Sequence, residues 1–290
     1  MGSWINAVWV VGLSLLMVAA APKLPLRPIA IKRPAGQVPS KYKPPEKPRL
    51  GIEPCENPLP DVERLPISIG ETVRYVVDVD GLSVGVVDFR TIQRGQYEGQ
   101  SVTEYRSQFK LDSLVGSLLP VDGRAASLVR DERGQPARAM NQYSVGERSY
   151  EETVVWNAAS GSLTSERRRG DKSKTVTRSF DSTALDFVSG FYTLRALPRE
   201  STGCTIIYGN QRAYTVHLRY AGEDKVMTPV GSKPADRYEL RYAHERSKRV
   251  ADATLWLSTG PDRLPYRAEI RARNKLDARI HLYEPGKPSH

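Results

Sequence analysis

The sequence predicts a mainly β protein: a strongly curved antiparallel sheet, a half-barrel of about a dozen strands, wrapped around two short helices. Three observations lead there. Stretches that alternate apolar and polar residues recur from Glu71 to Tyr283 with short polar connections. No strand–helix–strand alternation runs through them, which argues against a parallel sheet. Two stretches exchange the two-residue period for an apolar stripe at helical spacing. A long antiparallel sheet must curl or close to shelter its edges, and a curled sheet offers both stripes an interior.

The chain opens on an export address. Trp4 to Ala21 is an uncharged apolar run, and Val18-Ala19-Ala20 places small residues where a signal peptidase cuts, so residues 1–20 read as a signal peptide. The run is about the shortest that can span a bilayer, and its basic residues follow it rather than precede it, so an uncleaved anchor over residues 4–21 stands as the alternative. The signal reading places the protein in the periplasm or cell envelope. For an anchor the positive-inside rule would hold the body in the cytoplasm, unless a basic stretch lies upstream of the run or the α-amino group suffices for export; the periplasm or cell envelope is the localisation expected here. Residues 21–66 form a tether: 12 of the chain's 21 prolines fall there. Proline lacks a backbone donor and fixes φ, so the stretch reads as an extended spacer. Pro22 to Leu50 holds eight Lys or Arg against Glu46 alone. That charge suits an anionic envelope component such as headgroups or wall polymer; it equally keeps a solvated spacer extended.

Residues 67–290 are the β domain, long enough for a real core. Glu71–Val79 alternates, Asp80-Gly81 turns, and Val84–Ile92 returns. Val102–Phe109 repeats the pattern. Leu111, Leu114, Val115 and Leu118 then share one helical stripe that Pro120 ends. Strands resume over Ala125–Arg130, Arg138–Ser144, Ser149–Asn157, Ser162–Arg168 and Lys174–Phe180. A second helix is expected next, capped by Asp181 or Ser182, with Ala184, Phe187, Val188 and Phe191 as its stripe. Gln211–Ala221, Asp236–Tyr242, Ala251–Ser258, Tyr266–Arg273 and Ala278–Tyr283 complete the strands.

The chemistry-bearing motifs are thin. Gly81-Leu82-Ser83-Val84-Gly85 matches a nucleophile elbow, but an elbow needs a helix behind it and here a strand follows. His217, His244, His281 and His290 have no metal-ligand spacing, and no nucleotide-binding loop is present, so neither a metal nor a cofactor is expected. Asp78, Asp80 and Asp88 cluster at a turn, where carboxylates are ordinary. Arg167-Arg168-Arg169 reads as a charged hairpin tip without interleaved aromatics, which argues against nucleic acid. An arginine-rich sheet face is expected at the C-terminal hairpins, and Arg267, Arg271 and Arg273 are its candidates for an anionic partner. Cys55 and Cys204 are the only cysteines; an oxidising compartment would pair them, and otherwise they are two thiols.

The order of short motifs resembles one family. Gly70-Glu71-Thr72-Val73-Arg74-Tyr75 with Gly85, then Ser189-Gly190-Phe191-Tyr192-Thr193-Leu194-Arg195, then Thr228-Pro229-Val230-Gly231, Leu255-Trp256-Leu257-Ser258 and Arg263-Leu264-Pro265 resemble the signatures of the bacterial domain-of-unknown-function family 3108. The resemblance runs from about Ile67 to Tyr283. It implies an exported or envelope-bound protein similar to the half-barrel of periplasmic lipoprotein carriers, with a concave apolar surface closed by helices.

The function expected is that of a non-catalytic binding module for a lipid, an acyl chain or another apolar ligand. Leu114, Leu118, Phe187, Phe191 and Trp256 are the candidate lining residues. The alternative is an envelope scaffold that docks anionic polymer or a protein through the tether and the arginine face.

Overall fold

The computed structural model describes residues 55–65, 68–111, 121–180, 184–228, 230–244, 250–271 and 277–283. These residues form fifteen strands in one sheet and one helix. The strands are β1 (Thr72–Val79), β2 (Leu82–Tyr97), β3 (Gln100–Leu111), β4 (Val121–Arg130), β5 (Pro136–Val145), β6 (Arg148–Asn157), β7 (Ser162–Arg169) and β8 (Lys172–Ser179). After β9 (Ala184–Leu185) and the helix α1 (Phe187–Ala196) come β10 (Gly203–Gly209), β11 (Arg212–Thr228), β12 (Gly231–His244), β13 (Val250–Ser258), β14 (Pro265–Arg271) and β15 (Asp277–Leu282).

The sheet order is β8-β7-β6-β5-β4-β3-β2-β1-β15-β14-β13-β12-β11-β10-β9. Two arms therefore leave a central β1–β15 pair, in which Tyr75 stands opposite Leu282 and Val77 opposite Ile280. Every neighbouring pair is antiparallel except the short β9–β10 contact.

A flat sheet of fifteen strands would hold its edges roughly 65 Å apart at ~4.8 Å per strand. Here they meet. Gln211 Nε2, at the β10–β11 turn, donates to the Lys174 carbonyl on β8 at 2.7 Å. Trp156 Nε1 on β6 donates to the Ala184 carbonyl on β9 at 2.7 Å. Phe180 and Tyr208 pack edge to face across the same seam. The sheet has curled until side chains close the gap that its ladders leave.

Alternation explains the curl's two faces. Val73, Tyr75 and Val77 of β1 face inward, level with Val87 and Phe89 of β2 and Tyr105 and Phe109 of β3. α1 lies against them. Phe191 stacks on Phe89 with ring centroids 3.8 Å apart, and Tyr192 sits 4.0 Å from Tyr105. Asp186 caps the helix: its carboxylate accepts from the Val188 and Ser189 N–H groups at 2.8 and 3.0 Å, and the Ser189 hydroxyl accepts from the Asp186 N–H.

Four expectations change. The strands number fifteen rather than about a dozen, because β9 and β10 show no alternation; β10 is covered on both faces and reads Gly-Cys-Thr-Ile-Ile-Tyr-Gly. One helix rather than two is present among the described residues, and Leu114 and Leu118 lie outside those residues. Leu111, expected to open the first helix, ends β3 opposite Gly85. The second helix starts later than its apolar stripe suggests: Ala184 and Leu185 pair with Ile206 and Ile207, and Asp186 is the cap in place of Asp181 or Ser182.

The end of the proline-rich stretch is part of the body. Cys55 is bonded to Cys204, with Cα atoms 5.5 Å apart. Leu59 N–H donates to the Cys204 carbonyl and Cys204 N–H to the Asn57 carbonyl, so Pro58 extends the edge of β10. Further on, Val62 and Leu65 are buried in the core, with Leu65 against Gly134 of the β4–β5 turn. Residues 55–65 thus strap one arm to the other. In the chain-entropy model a bridge closing so long a loop contributes about 4–5 kcal/mol at most.

Candidate functional site

The helix that fills the curl is held by a few directional ties. Arg195, at its C-terminal end, is buried and forks onto Glu71 at 2.8 and 2.9 Å, while its Nε donates to the Asp262 carbonyl. Thr91 donates to the Tyr192 hydroxyl at 3.4 Å, and burial pushes that phenol up to about 12. Ser127 of β4 donates to Asp186 at 2.6 Å. Arg195 and Phe191 of the helical signature therefore meet Glu71 and Tyr75 of the opening one, and they do so as scaffolding.

A second anchor holds the far arm. Asp236 is fully buried and accepts from Arg263 at 2.5 Å and from Arg199 at 2.6 and 2.9 Å. Burial alone would raise this carboxyl; the two guanidinium groups hold it below its ordinary range. Arg263 adopts a left-handed φ of 45° while donating to the Tyr238 hydroxyl.

Between α1 and the β10–β12 face lies an apolar recess of about 70 Å³. Phe187, Leu194, Ile207, Val216, Leu218 and Leu240 line it, and Thr193 and Thr205 are its hydroxyl-bearing members. The Thr193 hydroxyl is buried and has no hydrogen-bond partner among the described residues. Gly190 keeps the helix close to β10: a Cβ there would lie 2.9 Å from Ile207 Cδ1.

The predicted lining residues scatter. Phe187 lines the recess. Phe191 instead packs into the aromatic centre on Phe89. Trp256 does not line the interior: alternation along β13 turns Leu255 and Leu257 inward and Trp256 outward, where its indole donates to Asp224 at 3.0 Å and Arg267 lies over its ring. Sequence reasoning missed Leu194, Ile207, Val216, Leu218 and Leu240, which come from four separate elements.

The outer face does carry arginines, laced with acids. Arg267 bonds to Glu269, which Arg279 also approaches at 3.4 Å; Arg219 bonds to Glu239, and Arg241 faces Asp252. Arg271 closes β14 opposite Asp252 and Asp277, and Arg273 lies outside the described residues. On the other arm Arg74 forks onto Asp88 at 2.6 and 2.8 Å; this bond, with help from Arg90, holds the Asp88 carboxyl below its ordinary range. Two larger open hollows mark this outer face. One of about 420 Å³ is walled by Arg90, Arg106 and Arg124, the other of about 390 Å³ by Asp78, Asp80, Glu269 and Arg279. His281 stands 3.3 Å from Asp78, and burial lowers its pKa. Among the described residues no three His, Cys, Asp or Glu side chains are grouped to hold a metal ion.

The seam is polar. Glu152 is buried, and its carboxylate accepts from the Asn210 N–H at 2.6 Å, the Gln211 N–H at 2.7 Å, Ser165 at 2.7 Å and Asn141 at 3.4 Å. Asn210 and Gln211 both have φ of 55°, so the carboxylate sits in the pair of N–H groups that a left-handed hairpin turn exposes. Tyr143 donates to the Asn210 side chain at 2.5 Å.

These features define a class: a single, almost wholly antiparallel sheet, curled almost to closure and, among the described residues, filled by one helix. The chain belongs to the family described as protein of unknown function DUF3108, whose model matches residues 73–275. No curated protein matches it. Among solved structures it is similar to a beta-barrel-like protein of domain of unknown function DUF1849 from Brucella abortus, at 10% identity over 74% of this chain and 98% of that one, with a TM-score of 0.49. It is also similar to the hypothetical lipoprotein YmcC from Escherichia coli, at 7% identity over 78% of this chain and 93% of that one, with a TM-score of 0.28.

Proposed function

We propose that this chain is an exported, non-catalytic module of the cell envelope that takes the end of an acyl chain, or a similar apolar group, between α1 and β10–β12. The observation that carries the reading is the recess itself: nine apolar side chains around a space with one hydroxyl, Thr193, that is unsatisfied among the described residues. Apolar surface of this kind gains by accepting apolar ligand surface, at about 25 cal/mol per Å². At about 70 Å³ the recess takes a chain's tip, and a longer ligand requires α1 to move outward. Export is supported by the N-terminal apolar run and by the Cys55–Cys204 bridge, a bond that persists in oxidising compartments. Leu114 and Leu118 remain lining candidates on their helical spacing alone.

The scaffold reading has less behind it, since Arg267 is already matched by Glu269. The test is native mass spectrometry with lipid extraction on the exported chain. Lipid that leaves only on denaturation is expected in the wild type and is lost in Val216→Phe, which fills the recess. A wild-type protein that is empty when purified from its own envelope overturns the reading.

A further inference from the structure

The inner face of the β7–β8 hairpin gathers cations without acids. On the outer face Arg90 and Arg106 also stand opposite each other, but Asp88 and Glu104 lie beside them, whereas Arg167 is directly opposite Lys174 and Arg169 directly opposite Lys172. Like charges facing each other across strands destabilise a sheet. None of the four has a carboxylate partner among the described residues. Glu152, opposite Arg167 on β6, is turned to the Asn210 and Gln211 N–H groups, and Asp171 occupies the turn.

The arginines are held in place. Tyr143 and Tyr150 stack with centroids 4.9 Å apart. The Arg167 guanidinium lies 4.6 Å and that of Arg169 5.6 Å from the Tyr150 ring centroid. Stacking on a fixed ring orders a guanidinium and leaves its edge donors for a ligand. By strand geometry the four cations spring from a patch roughly 5 by 7 Å.

We propose that this patch binds a clustered phosphate, a diphosphate or phosphate monoester group. So dense a set of cations matches a compact multivalent anion, and arginine forks match phosphate oxygens. A local arrangement that costs stability with no structural return is characteristic of a site kept for binding. Edge protection is the competing account, because lysines and inward-pointing charges on an edge strand discourage sheet-to-sheet pairing. It covers Lys172 and Lys174 on β8 but not Arg167 and Arg169 on β7. The site is separate from the recess beneath α1, and its test does not depend on the acyl reading.

The full chain is titrated calorimetrically with inorganic pyrophosphate and co-sedimented with phosphatidylcholine vesicles, with and without phosphatidic acid. Binding to at least one phosphate form is expected, weakened tenfold or more in the Arg167→Gln/Lys174→Gln double variant. Arg168→Gln, on the same hairpin but facing outward onto Glu166, is expected to bind as the wild type does. Binding to pyrophosphate alone assigns the site to a soluble phosphate, and binding to phosphatidic acid vesicles assigns it to a lipid headgroup. If the double variant does not fold, Arg169→Gln/Lys172→Gln, at exposed positions, replaces it. No binding to either probe overturns the proposal. So does equal binding by wild type and double variant, and aggregation of that variant would then assign the charges to edge protection.

Discussion

At the centre of the interior, Phe191 lies flat on Phe89 within a ring of tyrosines; at the seam, a single carboxylate, Glu152, receives four donors. Both join parts of the chain far apart in sequence. The centre does so by burying area, which tolerates small shifts. The seam does so by direction: its donors are two N–H groups of a left-handed turn, and a slip of either edge leaves them buried without acceptors. The fold relies on packing where a helix is available to fill space, and adds directed hydrogen bonds to packing where two sheet edges approach without a ladder.

Breaking the centre should cost most. Phe191→Ala removes the ring stacked on Phe89 and is expected to lose about 3–5 kcal/mol, lowering Tm by about 10 °C in a thermal melt. Glu152→Ala should cost about 2–3 kcal/mol through the turn's stranded N–H groups. The two variants should also differ in kind. Hydrogen exchange is expected to accelerate at Asn210 and Gln211 in the Glu152 variant while α1 keeps its protection. Equal loss of protection at both places would remove the distinction between packing and clasp.

Acid probes the ties around both. Asp88 and Asp236 have folded-state pKa values below those of the unfolded chain. Their contribution is present above the unfolded carboxylate value, near pH 4, and is lost as pH falls through the lower folded values. Tm measured from pH 7 to pH 2 should therefore drop on the acid side, and Asp88→Asn should flatten part of that drop. The outer face should matter least. Arg241→Gln, which removes an exposed partner of Asp252, is expected to change stability by no more than about 0.5 kcal/mol in urea unfolding.

How legible was this in the chain? Strands with one wet face announced themselves: β1, with Val73, Tyr75 and Val77 inward, is readable residue by residue. β10 was not, because the strap and the seam cover its outer face, and alternation disappears when both faces are dry. The cap at Asp186 was hidden by earlier polar residues that cap equally well in isolation; pairing of Ala184 with Ile206 decides the matter. Trp256 faces out, and the alternation with Leu255 and Leu257 on either side already implies it. The paired cysteines needed only counting. The recess draws on α1, β10, β11 and β12, and no local pattern records which of their apolar residues leave a space.

The central β1–β15 pair has a consequence for how the chain folds. Each arm is a meander of neighbouring hairpins, whose contacts form between nearby residues and so form quickly. Pairing Tyr75 with Leu282 joins the first strand to the last and carries the largest loop-closure entropy in the sheet. It also waits for the last strand to be made. Until then β1 presents an open, apolar edge, so a newly made chain is most exposed to wrong pairing along the strand that ends up at the middle of its sheet.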